Sequence, residues 1–217
     1  MCFSAGASFA ASAIISSVGV AGYRKAKGAD VKTLALIPIF FGLQQFAEGF
    51  VWLGLTNDYF SDLLIPSNYI FIFFAWMVWP FLIPYLMFSL EVKSQRKRWL
   101  KYFLILGITS SLILLYVAIN HGVNSSIQDC SILYDFDLKW RPWKWFGLVY
   151  ITTTVLPTFV SSIPKIGLFG LLNVLSYIVT KIYWHDEVIS IWCFFSAIAS
   201  LIIYWSIIST KKRQNIH

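Results

Sequence analysis

Seven stretches of this chain, at about 5–23, 33–55, 68–90, 99–120, 144–163, 166–184 and 187–209, run largely apolar for close to twenty residues each. A bilayer's hydrocarbon core needs about 20 such residues per helical span. Inside it every backbone polar group must find an internal partner, so helices or a closed barrel are the available folds. Barrel strands would alternate apolar and polar residues, and these runs are continuous. The expected architecture is therefore all-α, a polytopic membrane protein of seven transmembrane helices forming one domain over 1–217. Only 12% of residues are charged, against about 25% in an ordinary soluble domain, and 58% are hydrophobic. The sizeable loop at 121–143 leaves no room for a soluble domain.

Charge orients the spans. Arg24, Lys25, Lys27 and Lys32 follow the first, and Lys93, Arg96, Lys97, Arg98 and Lys101 follow the third. Lys165 follows the fifth, and Lys211, Lys212 and Arg213 follow the seventh. That puts 13 of the 17 basic residues on one side. The basic side is expected to be cytoplasmic, with the N-terminus outside and the C-terminus inside. Asp58, Asp62, Asp129, Asp135, Asp137, Asp186 and Glu187 collect on the other side. The net charge of +7 then reports topology, not a nucleic-acid partner. No basic segment precedes the first span, which argues against a cleaved signal peptide.

Within the spans, the first repeats Ser4, Ser8, Ser12 and Ser16 at four-residue intervals, a spacing that lets helix backbones approach closely. The third carries Pro80 and Pro84 one turn apart, which frees carbonyls and kinks a helix. In the outer loop Ile132, Tyr134, Phe136, Leu138 and Trp140 alternate with more polar neighbours. That period of two predicts a short strand or an extended lid over the outer mouth.

Glu48 lies deep in the second span, where a charge costs roughly 2.5–3.5 kcal/mol on insertion scales. Gln44 and Gln45 share its helix face, one turn below. Two amides and an acid on one face predict a polar pocket turned into the bundle, in the outer half of the membrane. Three further groups are expected at similar depth. Cys2 carries a thiol and, if Met1 is removed, an amine. His185-Asp186-Glu187 forms the turn between the last two spans, and Cys193 lies almost two turns into the seventh. Cys2, Glu48, His185 and Cys193 are soft and hard ligands suited to a divalent ion such as zinc. In that reading Glu48, Asp186 and Glu187 supply acid–base or supporting groups for a metal-bound water. A second reading makes Glu48 a proton carrier in a small-solute transporter, with Gln44, Gln45, Asn173 and Thr180 lining its path. In a third, the polar residues only pack and the protein is a scaffold or partner subunit. The expected partners are the lipid bilayer and a small-molecule or lipid ligand. Cys2 and Cys130 share a compartment, so a disulfide there would withdraw Cys2 from metal binding.

Three motifs carry a resemblance. Met1-Cys2-Phe3-Ser4-Ala5 with Ser8-Phe9, then Phe41-Gly42-Leu43-Gln44-Gln45 with Glu48-Gly49 before Trp52, and Trp192-Cys193-Phe194-Phe195-Ser196-Ala197 near the end resemble a family of uncharacterised bacterial multipass membrane proteins. The resemblance implies a bacterial cytoplasmic membrane and carries no activity. In architecture the chain is also similar to the seven-span metal hydrolases that include alkaline ceramidases and adiponectin-type receptors. It departs from them in lacking paired in-span histidines.

Overall fold

A computed structural model describes residues 3–128, 131–136, 143–184 and 187–214. Among these described residues, eleven α-helices and one two-stranded hairpin follow the chain: α1 Ala5–Lys25, α2 Ala29–Leu34, α3 Leu36–Thr56, α4 Leu64–Ile72, α5 Trp79–Leu90, α6 Ser94–His121, β1 Asn124–Gln128, β2 Ser131–Asp135, α7 Trp143–Thr154, α8 Leu156–Val160, α9 Ile166–Tyr183, α10 Val188–Ala199 and α11 Ile202–Gln214. Six helical stretches among the described residues are long and apolar enough to cross a membrane: 5–25, 31–56, 58–90, 94–121, 166–183 and 188–209. The stretch expected at 144–163 is α7 followed by α8, with its apolar part, Gly147–Val160, shorter than the rest.

Local chemistry explains each interruption. Pro157 has no N–H to bond the carbonyl of Thr153 one turn back, so the helix breaks at Val155. The Thr153 and Thr154 hydroxyls meanwhile bond back to Val149 and Tyr150 carbonyls at 2.8–3.1 Å, a pattern that bends helices. Pro38 sets the break between α2 and α3 in the same way. The third span begins earlier than its apolar run, because Asp58–Leu63 forms a tight helical turn capped by the Asn57 side chain on the Tyr59 N–H. Its middle, Phe73–Val78, widens to π-helical spacing, with the Trp79 N–H reaching the Phe74 carbonyl five residues back. Pro80 is next and has no N–H for Ala75. The Tyr150 hydroxyl of α7 donates to that stranded Ala75 carbonyl at 2.5 Å. Ser111 of α6 donates to the Met77 carbonyl at 2.8 Å. Wide helix and prolines thus become cross-links between helices.

Small residues bring the helices together. α1 buries Ser8, Ser12, Ile15, Gly19 and Gly22 along one stripe and leaves its other faces free. That stripe lies on α3, where a Cβ on Gly42 would stand 2.0 Å from the Ser16 hydroxyl and one on Gly49 would strike the Phe9 ring at 2.5 Å. Between α5 and α6, a Cβ on Gly107 would meet the Pro80 carbonyl at 1.9 Å.

The core has two apolar clusters. One gathers Ile15, Ile37, Phe41, Trp79, Leu86, Ile203 and Ile207 toward the basic end. The other gathers Val51, Trp52, Phe71, Trp76, Tyr134, Phe136 and Cys193 beneath the hairpin. β1 and β2 pair antiparallel from Asn124↔Asp135 to Gln128↔Ser131. Ile132, Tyr134 and Phe136 turn inward, as the period of two predicts, with Tyr134 stacked on Phe71 and Phe136 on Trp76. β1 is a polar addition to an otherwise helical fold. Leu138 and Trp140 lie outside the described residues.

Candidate functional site

α3 crosses from one cluster to the other, and its turn Gln44–Glu48 falls at their boundary. Gln44 and Gln45 are fully buried, and Glu48 is 2% exposed. Ser190 of α10 donates to Glu48 Oε1 at 2.5 Å, and Gln45 Nε2 donates to Oε2 at 3.0 Å. Gln44 turns the other way, accepting from Trp79 Nε1 of α5 at 2.7 Å. The Glu48 charge is felt by two nearby titratable groups, Tyr134 from β2 and Cys193 from α10. Among the described residues no cation is paired with the Glu48 carboxyl.

Several buried polar atoms around this turn make no hydrogen bond: Gln44 Nε2, Gln45 Oε1 and the Tyr134 hydroxyl. The Cys193 thiol faces the Gln44 amide without forming a geometrically sound hydrogen bond. An unpaired buried polar group costs about 1–3 kcal/mol. Burial raises the Tyr134 hydroxyl's pKa well above the ordinary range, and the charges of Glu48 and Cys193 add to the effect. It therefore remains a neutral phenol at physiological pH.

A cleft of about 550 Å³ opens beside this turn. Trp76, Tyr134, Phe136, Tyr150, Tyr177 and Trp192 give it aromatic walls, with Asp135 and Lys181 also in its lining. Tyr134 and Cys193 belong both to the cleft wall and to the surroundings of Glu48. A second, much smaller hollow of about 20 Å³, room for one water, is lined by Thr154, Asn173 and Ser196 among others. Tyr150, Trp192 and Cys193 line both spaces and form the partition between them.

The predicted site residues fare differently. Glu48, Gln44, Gln45 and Cys193 come together. Cys2, His185 and Asp186 lie outside the described residues, as does Cys130. Glu187 is buried at the start of α10 and forms no side-chain cap there. Asn173 lines the small hollow, but its side-chain amide bonds back to the Phe169 carbonyl at 2.8 Å, and its backbone carbonyl accepts from Trp192 Nε1 at 3.1 Å. Thr180 is buried with an unpaired hydroxyl and lines neither space. Among the described residues no three His, Cys, Asp or Glu side chains are close enough to hold a metal ion.

Three participants escape a reading of the sequence. Ser190 is one of two serines in an apolar helix, and its signal is lying three residues before Cys193, on the same face. Trp79 reads as a companion of the prolines. Glu91 reads as part of a basic loop. It is in fact 1% exposed, and it accepts from the Lys93 N–H at 3.0 Å, the Ser162 hydroxyl at 2.8 Å and the Ser162 N–H at 2.7 Å.

Helices of this length and polarity, wrapped around a buried carboxyl, define a multi-pass helical membrane protein. The chain belongs to a family of unknown function, DUF6629, whose profile matches residues 1–216. No curated protein and no solved structure matches it.

Proposed function

We propose that this protein is a proton-coupled carrier of small solutes in a bacterial cytoplasmic membrane, N-terminus outside, with Glu48 as its proton-carrying group. The observation that carries this reading is Glu48 itself: a buried carboxyl with two hydrogen-bond donors, no counter-cation among the described residues, and a wall shared with the cleft. Gaining or losing a proton there changes the local charge by one, and no described cation is paired with it to offset the change. The two states therefore favour different surroundings, which is what coupling requires. The thin partition of Tyr150, Trp192 and Cys193, with a hollow beyond it, supports a path continuing toward the basic end. A scaffold has no use for the unpaired atoms of Gln44, Gln45 and Tyr134, which together cost several kcal/mol.

The zinc-type reading draws on Cys193 standing close to Glu48. It requires Cys2 and His185, which lie outside the described residues, to stand beside Glu48 as well. Metal analysis of wild-type and Cys2→Ser protein separates the two readings: metal bound stoichiometrically by wild type and lost from the variant favours zinc.

Infrared spectroscopy of the protein in bilayers, stepped through pH, tests the proton carrier. A carboxyl C=O band that titrates in wild type and is missing from Glu48→Gln is the expected result. An identical set of titrating bands in both proteins would remove Glu48 from proton transfer.

A further inference from the structure

We infer that the cleft and the Glu48 turn together form a binding site for a protonated organic amine with an aromatic or similarly flat apolar body; this rests on the carrier reading and names its substrate class. Two independent features lead there. The first is the wall. Six aromatic side chains surround the cleft, and their faces attract cations through the ring quadrupole. They also offer flat apolar area for a ring to lie against.

The second is the polar end. Beside the cleft wall stand a carboxyl that no cation among the described residues compensates, the unpaired Gln45 Oε1 and the unpaired Tyr134 hydroxyl oxygen. All three accept hydrogen bonds, and a carboxyl oxygen that already accepts one bond keeps capacity for another. An –NH₃⁺ group has three donors and no acceptor, so it matches this set in both number and charge. A carboxylate ligand would bring a second negative charge beside Glu48 and leave Gln45 Oε1 unpaired. Lys181 in the cleft lining is already engaged by a neighbour, and Asp135 is exposed and acidic. Neither favours an anion.

Tyr134, on the inner face of β2, stands between the cleft and Glu48. The hairpin that carries it is therefore the element that has to give way for the ammonium group to reach the carboxyl.

Tryptophan fluorescence reads this site directly, since Trp76 and Trp192 line the cleft. The full chain in nanodiscs is titrated with phenethylamine, 3-phenylpropionate and 2-phenylethanol, with empty nanodiscs correcting for partition into lipid. Phenethylamine should quench saturably, while the acid and the alcohol should bind at least about tenfold more weakly. Glu48→Gln should weaken the amine by about tenfold or more, and Tyr134→Phe, which removes one hydroxyl, by a few-fold. Equal binding of acid or alcohol, no binding of any probe, or undiminished amine binding by folded Glu48→Gln would overturn the assignment. If Glu48→Gln does not fold, Tyr134→Phe decides, and amine affinity equal to wild type would overturn it. An infrared band lost in Glu48→Gln without amine selectivity would leave the carrier reading in place and remove only its substrate.

Discussion

Glu48 and Glu91 are both buried carboxylates, yet they are held in different ways. Glu48 has a serine hydroxyl and an amide as donors and unpaired polar atoms nearby. Glu91, at the basic end, is saturated by three donors and has the charge of Arg96 beside it. Burial alone would push the Glu91 pKa up, but the donors from Lys93 and Ser162 and the Arg96 charge outweigh it and hold the pKa below the ordinary 4.5. The sign follows: a carboxyl whose native pKa is depressed adds stability above its unfolded pKa, and that stability is lost as pH falls through the native one. Glu91 ties the end of α5 to the Ser161–Lys165 turn that leads into α9. Glu91→Gln should therefore melt below wild type at neutral pH, on the order of 1.5–3 kcal/mol for bonds to a charged group. The gap should close as pH drops below about 4.5. A gap that is unchanged at low pH would assign Glu91 a role that does not depend on its charge. That Glu48 turns inward onto polar partners was legible from its position in an apolar run, because a charge there is so costly. Its partner Ser190 was not, because a neutral hydroxyl in a membrane helix is cheap and common.

Between elements, contact depends on missing side chains more than on large ones. Lipid tails are as apolar as leucine, so packing holds these helices, with little hydrophobic drive. Gly107 and Gly42 mark two close approaches whose tolerance differs. A Cβ on Gly42 meets the movable Ser16 hydroxyl, though the Ser12 carbonyl follows at 3.1 Å. A Cβ on Gly107 meets the fixed Pro80 carbonyl. Gly107→Ala should therefore destabilise more than Gly42→Ala, about 3 kcal/mol or above against about 1–2 kcal/mol. Thermal unfolding in detergent checks the order, and equal losses would contradict the packing at Pro80. The four-residue serine repeat made a close helix approach by α1 legible, while its partner, α3, is identified by the structure. The π-helical stretch was not legible: Pro80 and Pro84 announce a kink, but the choice of a wider spacing depends on Tyr150 and Ser111 arriving from other helices.

At the scale of the whole molecule, the apolar runs disclosed the helices because membrane spans leave the backbone no alternative. Boundaries were less legible where prolines cut a run internally, as at Pro157, or where a polar turn extends one, as at Asp58–Leu63. β2 could be read from its alternation, while β1, Asn-Ser-Ser-Ile-Gln, owes its strand to pairing alone. The hairpin, the cleft beneath it, the Glu48 turn and the small hollow succeed one another from one end of the bundle toward the other. Glu48 is the buried carboxyl of that series, and in the proposed carrier it governs proton movement coupled to solute. The most direct test is a proteoliposome carrying an internal pH dye, challenged in turn with small amines, acids and sugars. With wild type, one solute class should change the internal pH, and Glu48→Gln should abolish that change. If wild type and Glu48→Gln respond alike, whether with equal pH changes or with none, Glu48 is not the proton carrier.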